Sequence, residues 1–481
     1  MNYKNKSIWS EEINETFNKL DCDIETDVLI IGGGITGVST LYHLKDSNLK
    51  VTLVEKNIIG SGITSKTTGK ITYNQDIYSK IKNSLGINKA KTYLDSQIYA
   101  MNLVKDIINK ENIDCNLDKV NSYIFSDNKQ KLNKDKNLLK QLNIDIKESN
   151  ILPNGIKTNS YYVSDTYQFH PIKYINGLVN KCNKENISIY ENTKIVYIDK
   201  KNDYYICKTD NNTIKCKYVV LALHYPYFLI PFFTPFKTII EKSYIGVYEV
   251  NDYFKFNAIN DTKPTISMRY LIDNKVNYEF FLTNAHLSNF KYNEKDNFNI
   301  FLKDNLKYLW SNMDILTNDS IPFIGSISCD NTLLLGTGYN TWGMTNGSLA
   351  GKIISDIILN KDNKYIDLFN PKRGINIGSI LSFPIIIGSN IYSFIANKIN
   401  KNKSFYSNNV KFEKRNGKNV AIYIDENKKE HIVYNLCPHL KCSLIFNPIE
   451  LTWDCPCHGS KFDIDGNSLE GPSNYDIKYK D

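Results

Sequence analysis

Two stretches near the C-terminal end, CPHLKC (437 to 442) and WDCPCHGSKF (453 to 462), hold four of the chain's ten cysteines and two of its seven histidines. Cys437-x-His439 and Cys455-x-x-His458 are separated by fifteen residues. Two thiolates and two imidazoles at such spacing form a metal-ligand set. They can close a tetrahedral zinc site. They can equally hold a [2Fe–2S] cluster in which one iron takes both sulfurs and the other both nitrogens. Spacing alone leaves both open. Pro438 and Pro456 follow the two ligand cysteines and restrict their loops. Cys22, Cys115, Cys182, Cys207, Cys216 and Cys329 have no ligand spacing and read as buried or surface thiols.

A second constellation stands at the other end. DVLII (27 to 31) is a short apolar, β-branched run of the kind that forms a buried parallel strand. GGGITG follows, with Gly32, Gly34 and Gly37 in G-x-G-x-x-G spacing and Gly33 and Thr36 between them. A helical stretch and a second strand, VTLVE, end in Glu55, 23 positions after the first glycine. Glycines allow the tight turn and the approach of backbone to a pyrophosphate, which the helix N-terminus stabilises, and the acid takes a ribose hydroxyl. The order strand, glycines, helix, strand, acid therefore predicts dinucleotide binding. KNIIGSGITSKTTGK (56 to 70) is a Gly/Ser/Thr-rich loop with Thr67 and Thr68, placed where the phosphates and ribityl chain of FAD would pass. A Walker A reading fails, because Lys70 is followed by Ile71 and position 64 is Thr. YVVLALHYP (218 to 226) reads as a strand running into a loop. Residues 331 to 359 read as a strand, a glycine-rich turn and a helix, which puts Gly338, Met344 and Thr345 at a positive helix end near the cofactor. Val196 completes the expected cofactor-binding set.

The succession GGGITG, GSGITSKTTGK, QFHP (168 to 171), LALHYP, IPFIG (321 to 325) and TGYNTWGMTNG (337 to 347) resembles the FAD-dependent D-amino-acid oxidase superfamily, which includes glycine and sarcosine oxidases. More closely it resembles the bacterial branch with a C-terminal Rieske domain. Departures are Lys66 where those relatives have His, Met313 where they have Gln, and a segment 281 to 290 without the glycines usual there. The resemblance implies an α/β Rossmann-like FAD-binding domain with an inserted α+β substrate domain, plus a small all-β Rieske domain. It implies Cys437, His439, Cys455 and His458 as ligands of a Rieske [2Fe–2S] cluster rather than of zinc. It further implies a Cys442–Cys457 disulfide across the two cluster loops, and a Ser460 hydroxyl that donates to a cluster sulfur. Phe462 stands where high-potential centres have a Tyr hydroxyl, so a potential below the top of the Rieske range is expected. Lys441 replaces a glycine of the motif, which predicts a strained or altered loop.

The elements that must position these groups follow from the anchors. Residues 1–25 are expected to be a leader packed on the FAD domain. The FAD-dependent oxidoreductase domain is expected over 26–372, with substrate-side insertions at about 76–149 and 241–314. A helical linker is placed at 373–404 and the Rieske domain at 405–481. DIDGNSLEG (463 to 471) lacks the glycine and glutamate of a calcium loop. Its Asp465-Gly466 predicts a hairpin turn.

The chain's 481 residues, 42% hydrophobic and 23% charged, fit a soluble protein of two or three domains. No apolar leader or spanning segment is evident, so a cytoplasmic protein is expected. The net charge of +8 comes from Lys scattered among acids, which argues against a nucleic-acid partner. Only Arg269, Arg373 and Arg415 are arginines. Arg269 is the candidate partner of a substrate carboxylate, and His224 the candidate histidine near the flavin. His43 and His286 read as structural. The expected function is oxidation of a small amine or amino acid at FAD, with electrons passed through the cluster to an unidentified acceptor. The alternatives are a non-catalytic electron carrier or redox sensor, and a flavoenzyme acting on tRNA.

Overall fold

In the computed structural model, the described residues are 3–225, 237–262, 264–285, 301, 303–374, 409–439, 441–448, 450–455, 459–471, 473 and 475–480. Strand β1 (Ile24–Ile31) is buried on both faces from Val28 onward, as its unbroken apolar run requires. It pairs in parallel with β2 (Val51–Val54) on one side and with the strand Thr213–Leu221 on the other. Leu333–Thr337 and Ile187–Tyr190 extend this parallel core, and antiparallel strands border it. Helix α1 (Ile35–Leu44) starts at Gly34 with no side-chain cap. Close backbone packing fixes that turn: a Cβ on Gly37 would lie 1.9 Å from the Gly32 carbonyl oxygen. Helix α1 also packs tightly on the helix Gly343–Ile358, where a Cβ on Gly351 would come within 2.5 Å of Ser39.

The second sheet is nine-stranded among the described residues and mostly antiparallel. Two of its strands, Thr238–Val250 and Leu306–Thr317, lie side by side at one edge. Their register pairs Glu241 with Asp314 and Ser243 with Asn312 on one face. Lys242, opposite Met313, points to the other face. The sheet also takes strands Lys147–Ile151 and Lys157–Gln168, a stretch that sequence reading leaves largely with the FAD domain. Lys157–Gln168 pairs along its length with Asp118–Ser126 and so cannot leave the sheet. The leader bridges both units rather than packing on one. Trp9 is buried in the core of the second sheet with Phe280 and Trp310, while the amides of Thr16 and Phe17 donate to Glu191 beside the first.

The C-terminal residues form two small antiparallel sheets of three and four strands among the described residues. Trp453 and Phe462 fill their core together with Cys437, Cys442 and Cys455. Asp465-Gly466 makes the expected hairpin turn, with the Gly466 amide on the Asp463 carbonyl at 3.0 Å. Beyond Gly374 the proposed linker lies outside the described residues. Among the described residues, no helix is long and apolar enough to cross a membrane.

Candidate active site

A cavity of about 910 Å³ runs from the β1–α1 turn to the edge of the second sheet. Gly32, Gly34, Thr36, Glu55, Thr67, Thr68, His224, Gly338 and Met344 line it. Gly33 stands just behind, its amide donating to Glu55 at 2.7 Å, while Asn57 donates to the other carboxylate oxygen at 2.9 Å. Gly37 packs beneath Gly32, and Thr345 is fully buried, its hydroxyl without a partner among the described residues. Val196 is 37% exposed and not in the cavity. Alternate residues Thr193 and Ile195 line it instead, which turns Val196 outward. The turn that a side chain would fill, the half-buried acid and the hydroxyl-rich loop fit FAD.

That loop is gripped from behind by three large side chains. Trp310 Nε1 donates to the Lys66 carbonyl at 3.0 Å and Trp9 Nε1 to the Thr67 carbonyl at 2.7 Å. Arg269 Nη1 donates to the Thr68 carbonyl. Arg269 therefore does not face the cavity as a carboxylate partner would. Its guanidinium is buried over the rings of Trp9 and Phe280, 5.2 and 5.4 Å from their centroids. Burial pushes its pKa down to about 9. Sequence could not anticipate this, because Trp9 arrives from the leader.

Residues not singled out in the sequence form the far wall of the cavity. Glu241, Ser243, Asn312 and Asp314 face it from the two paired edge strands. Burial, then the neighbouring Glu241, push Asp314 up to about 7. Lys70 is buried, donating to the Ala258 carbonyl at 2.8 Å and to Ser267 Oγ at 2.5 Å, and burial pulls it down to about 7. His224 is open to the cavity, yet desolvation by the surrounding protein lowers it to about 4, so it is neutral at physiological pH. Only the alternation of these strands could have signalled the wall.

In the C-terminal domain the cysteine thiols at 437 and 455 are buried in separate loops. One loop closes through the Cys437 amide on the Cys442 carbonyl at 2.8 Å, the other through the Cys455 amide on the Ser460 carbonyl at 2.7 Å. His439 is partly buried in the first loop, and Cys442 is buried. His458, Cys457 and Pro456 lie outside the described residues. Ser460 Oγ accepts from the Ser473 amide at 2.9 Å, which fixes the oxygen and keeps its proton free to donate. Thiols and imidazole in two tight loops fit an iron–sulfur cluster. Ser460→Ala is therefore expected to lower the cluster's midpoint potential, read by redox titration; an unchanged midpoint would mean that this hydroxyl does not reach the cluster. Lys441 adopts φ 59°, the left-handed backbone expected of the glycine it replaces. Lys441→Gly should raise thermal stability by about 1 kcal/mol, measured by denaturation of the cluster-loaded protein.

The two units meet on the outer face of the wall. Lys242 and Asp454 pair at 2.8 Å with side chains only 2% and 3% exposed. Lys461 reaches Glu450 at 2.6 Å and Ser311 Oγ at 3.1 Å, and the Ser311 amide donates to Glu450 at 3.1 Å. Burial alone would raise the Glu450 carboxyl, but Lys461, Lys66 and Lys242 outweigh it and hold it well below the usual range. Gly459, in the second cluster loop, sits against Met313 Sδ and Ile240. Leu469, Glu470 and Gly471 reach the cavity itself, where Lys66 pairs with Glu470. Cavity and cluster loop thus occupy opposite faces of one pair of strands.

Comparison with known proteins places this geometry. Residues 27–357 match the family model "FAD dependent oxidoreductase" and residues 396–479 the model "Rieske [2Fe-2S] domain". A Bacillus subtilis (strain 168) protein described as "Putative Rieske 2Fe-2S iron-sulfur protein YhfW" is 28% identical, over 97% of this chain and 95% of its own length. Among solved structures, L-proline dehydrogenase from P. horikoshii has a TM-score of 0.59 at 15% identity, covering 73% of this chain and 98% of that one. Glycine oxidase from Geobacillus kaustophilus has a TM-score of 0.57 at 14% identity, covering 73% and 99%. These last two share the fold of the FAD-binding part. With the FAD cavity, the cysteine loops and both family matches in agreement, the chain belongs to the FAD dependent oxidoreductase family and is an enzyme that carries FAD together with a C-terminal Rieske [2Fe-2S] domain.

Proposed function

We propose that the enzyme oxidises a small amine in the cavity and delivers the electrons through the Rieske domain to an external acceptor. When bound, FAD supplies two-electron oxidation of the carbon beside an amine nitrogen, and the cluster supplies one-electron transfer. The observation that carries the reading is the shared wall, with the FAD cavity on one face and the second cluster loop, at Gly459, on the other. A single layer of paired strands separates the cavity from that loop. Met313 and Ile240 fill that layer on the cluster side. The buried Lys242–Asp454 pair holds the domain there, and Glu470 reaches the cavity lining, where it pairs with Lys66. Neutral His224, in the cavity wall, can accept a hydrogen bond or a proton without carrying charge beforehand. The names of the solved neighbours, enzymes of glycine and L-proline, support an amine.

The test is anaerobic mixing with a panel of amines, reading flavin bleaching by absorbance and cluster reduction by electron paramagnetic resonance. Bleaching followed by the reduced-cluster signal is the expected result. Bleaching with the cluster left oxidised would overturn the electron route. A panel in which no amine bleaches the flavin would overturn the substrate reading and favour an electron carrier fed by a partner.

A further inference from the structure

The cavity's far wall is rich in acceptors and negative charge. Glu241 and Asp314 are cross-strand neighbours on the cavity face, one residue pair away from Ser243 and Asn312. Asp314 accepts from Asn312 Nδ2 at 3.2 Å and from Ser243 Oγ at 3.4 Å, and it has no Lys or Arg ion pair among the described residues. Asn312 is 7% exposed, yet its Oδ1 has no partner among the described residues. A buried acceptor on the same face as two carboxylates is complementary to a group that brings N–H donors and positive charge.

Among the described residues, the lysines that line the cavity are engaged elsewhere. Lys66 pairs with Glu470, and Lys56 donates to the Leu469 carbonyl at 2.8 Å. Lys70 is engaged by Ala258 and Ser267, and Lys80 lies 3.8 Å from Asp76. No arginine lines the cavity among the described residues, Arg269 being turned onto the Thr68 carbonyl. A substrate carboxylate docked on this wall would meet the Asp314 carboxylate and find no guanidinium among the described residues.

We propose that Glu241, Asp314 and Asn312 form a subsite for a cationic nitrogen, so that the substrate is an amine with a second positively charged end and no carboxylate there. The proposal rests on the amine-oxidation reading and narrows it from amines and amino acids at large to diamine-like cations. The raised pKa of Asp314 is consistent with it, since burial and the nearby Glu241 both penalise a charge that a bound cation would neutralise.

The experiment separates binding from oxidation. The FAD- and cluster-loaded enzyme is mixed anaerobically with butanediamine, butylamine or γ-aminobutyrate. Perturbation of the oxidised flavin spectrum reports binding, and later bleaching reports oxidation. Butanediamine should bind tighter than γ-aminobutyrate, which carries a carboxylate in place of the second ammonium, by about tenfold to a hundredfold, the worth of hydrogen bonds to a charged group. Asp314→Asn and Glu241→Gln should each shrink that ratio severalfold while FAD content and the cluster spectrum stay unchanged. Equal or tighter binding of γ-aminobutyrate overturns the subsite, as does a ratio that survives in both variants. If butanediamine binds with the expected preference but nothing bleaches the flavin, the subsite stands and the oxidation reading falls.

Discussion

Gly37→Ala is expected to yield a protein that purifies without FAD. The added Cβ would sit 1.9 Å from the Gly32 carbonyl oxygen, which belongs to the backbone. No rotamer relieves such a contact, so the turn between β1 and α1 must open. Overpacking of this kind costs about 3 kcal/mol in rigid surroundings, and here it falls on the segment that approaches the pyrophosphate. The dissociation constant for FAD, measured by titration, should rise at least about tenfold, given that each 1.4 kcal/mol is a factor of ten in binding. The iron content should persist, because the C-terminal sheets have their own core around Trp453 and Phe462. A variant that retains stoichiometric FAD would mean that the turn relaxes, and that it does not hold the cofactor as argued.

Asp454→Ala should detach the Rieske domain from the wall. Lys242 would be left buried without its carboxylate, and removing one partner of a buried ion pair costs about 3–5 kcal/mol. Asp454 is also held by Thr452 Oγ1 at 2.8 Å and Asn447 Nδ2 at 3.2 Å, which fixes its carboxylate within the C-terminal domain. The expected signs are proteolytic release of the C-terminal domain and loss of cluster reduction after flavin bleaching, with FAD retained. Lys242→Met combined with Asp454→Leu should restore most of the docking, since an apolar pair removes the buried charge together with its partner. If the single variant resists protease and passes electrons as before, the interface does not depend on this pair.

The two cofactors were legible because the chemistry that signals them is local. Gly32 to Glu55 and Cys437 to Ser460 are short stretches in which residue type and spacing carry the role. The far wall was not legible, because Glu241 and Asp314 become neighbours only when strands some seventy positions apart pair in one register. The same limit explains Arg269, whose environment is set by Trp9 from the leader, and the strand Lys157–Gln168, whose sheet is decided by pairing with Asp118–Ser126. Val196 failed for a smaller reason. Its neighbour Ile195 has the cavity side, and a difference of one position is a difference of face.

That parity has an evolutionary consequence for the two wall strands. A slip of one residue in their pairing exchanges faces. It would turn Asp314 and Asn312 toward the Rieske domain and Met313 and Ser311 into the cavity. Inserting or deleting a single codon within 306–317 would therefore damage substrate recognition and domain docking in one event. The register irregularity between Val247 and Tyr248 lies beyond the positions that serve both faces, where an extra residue can be absorbed. Between Ile239 and Ser243 and between Ser311 and Ile315, lineages that keep both domains should change by substitution at constant length, or by steps of two.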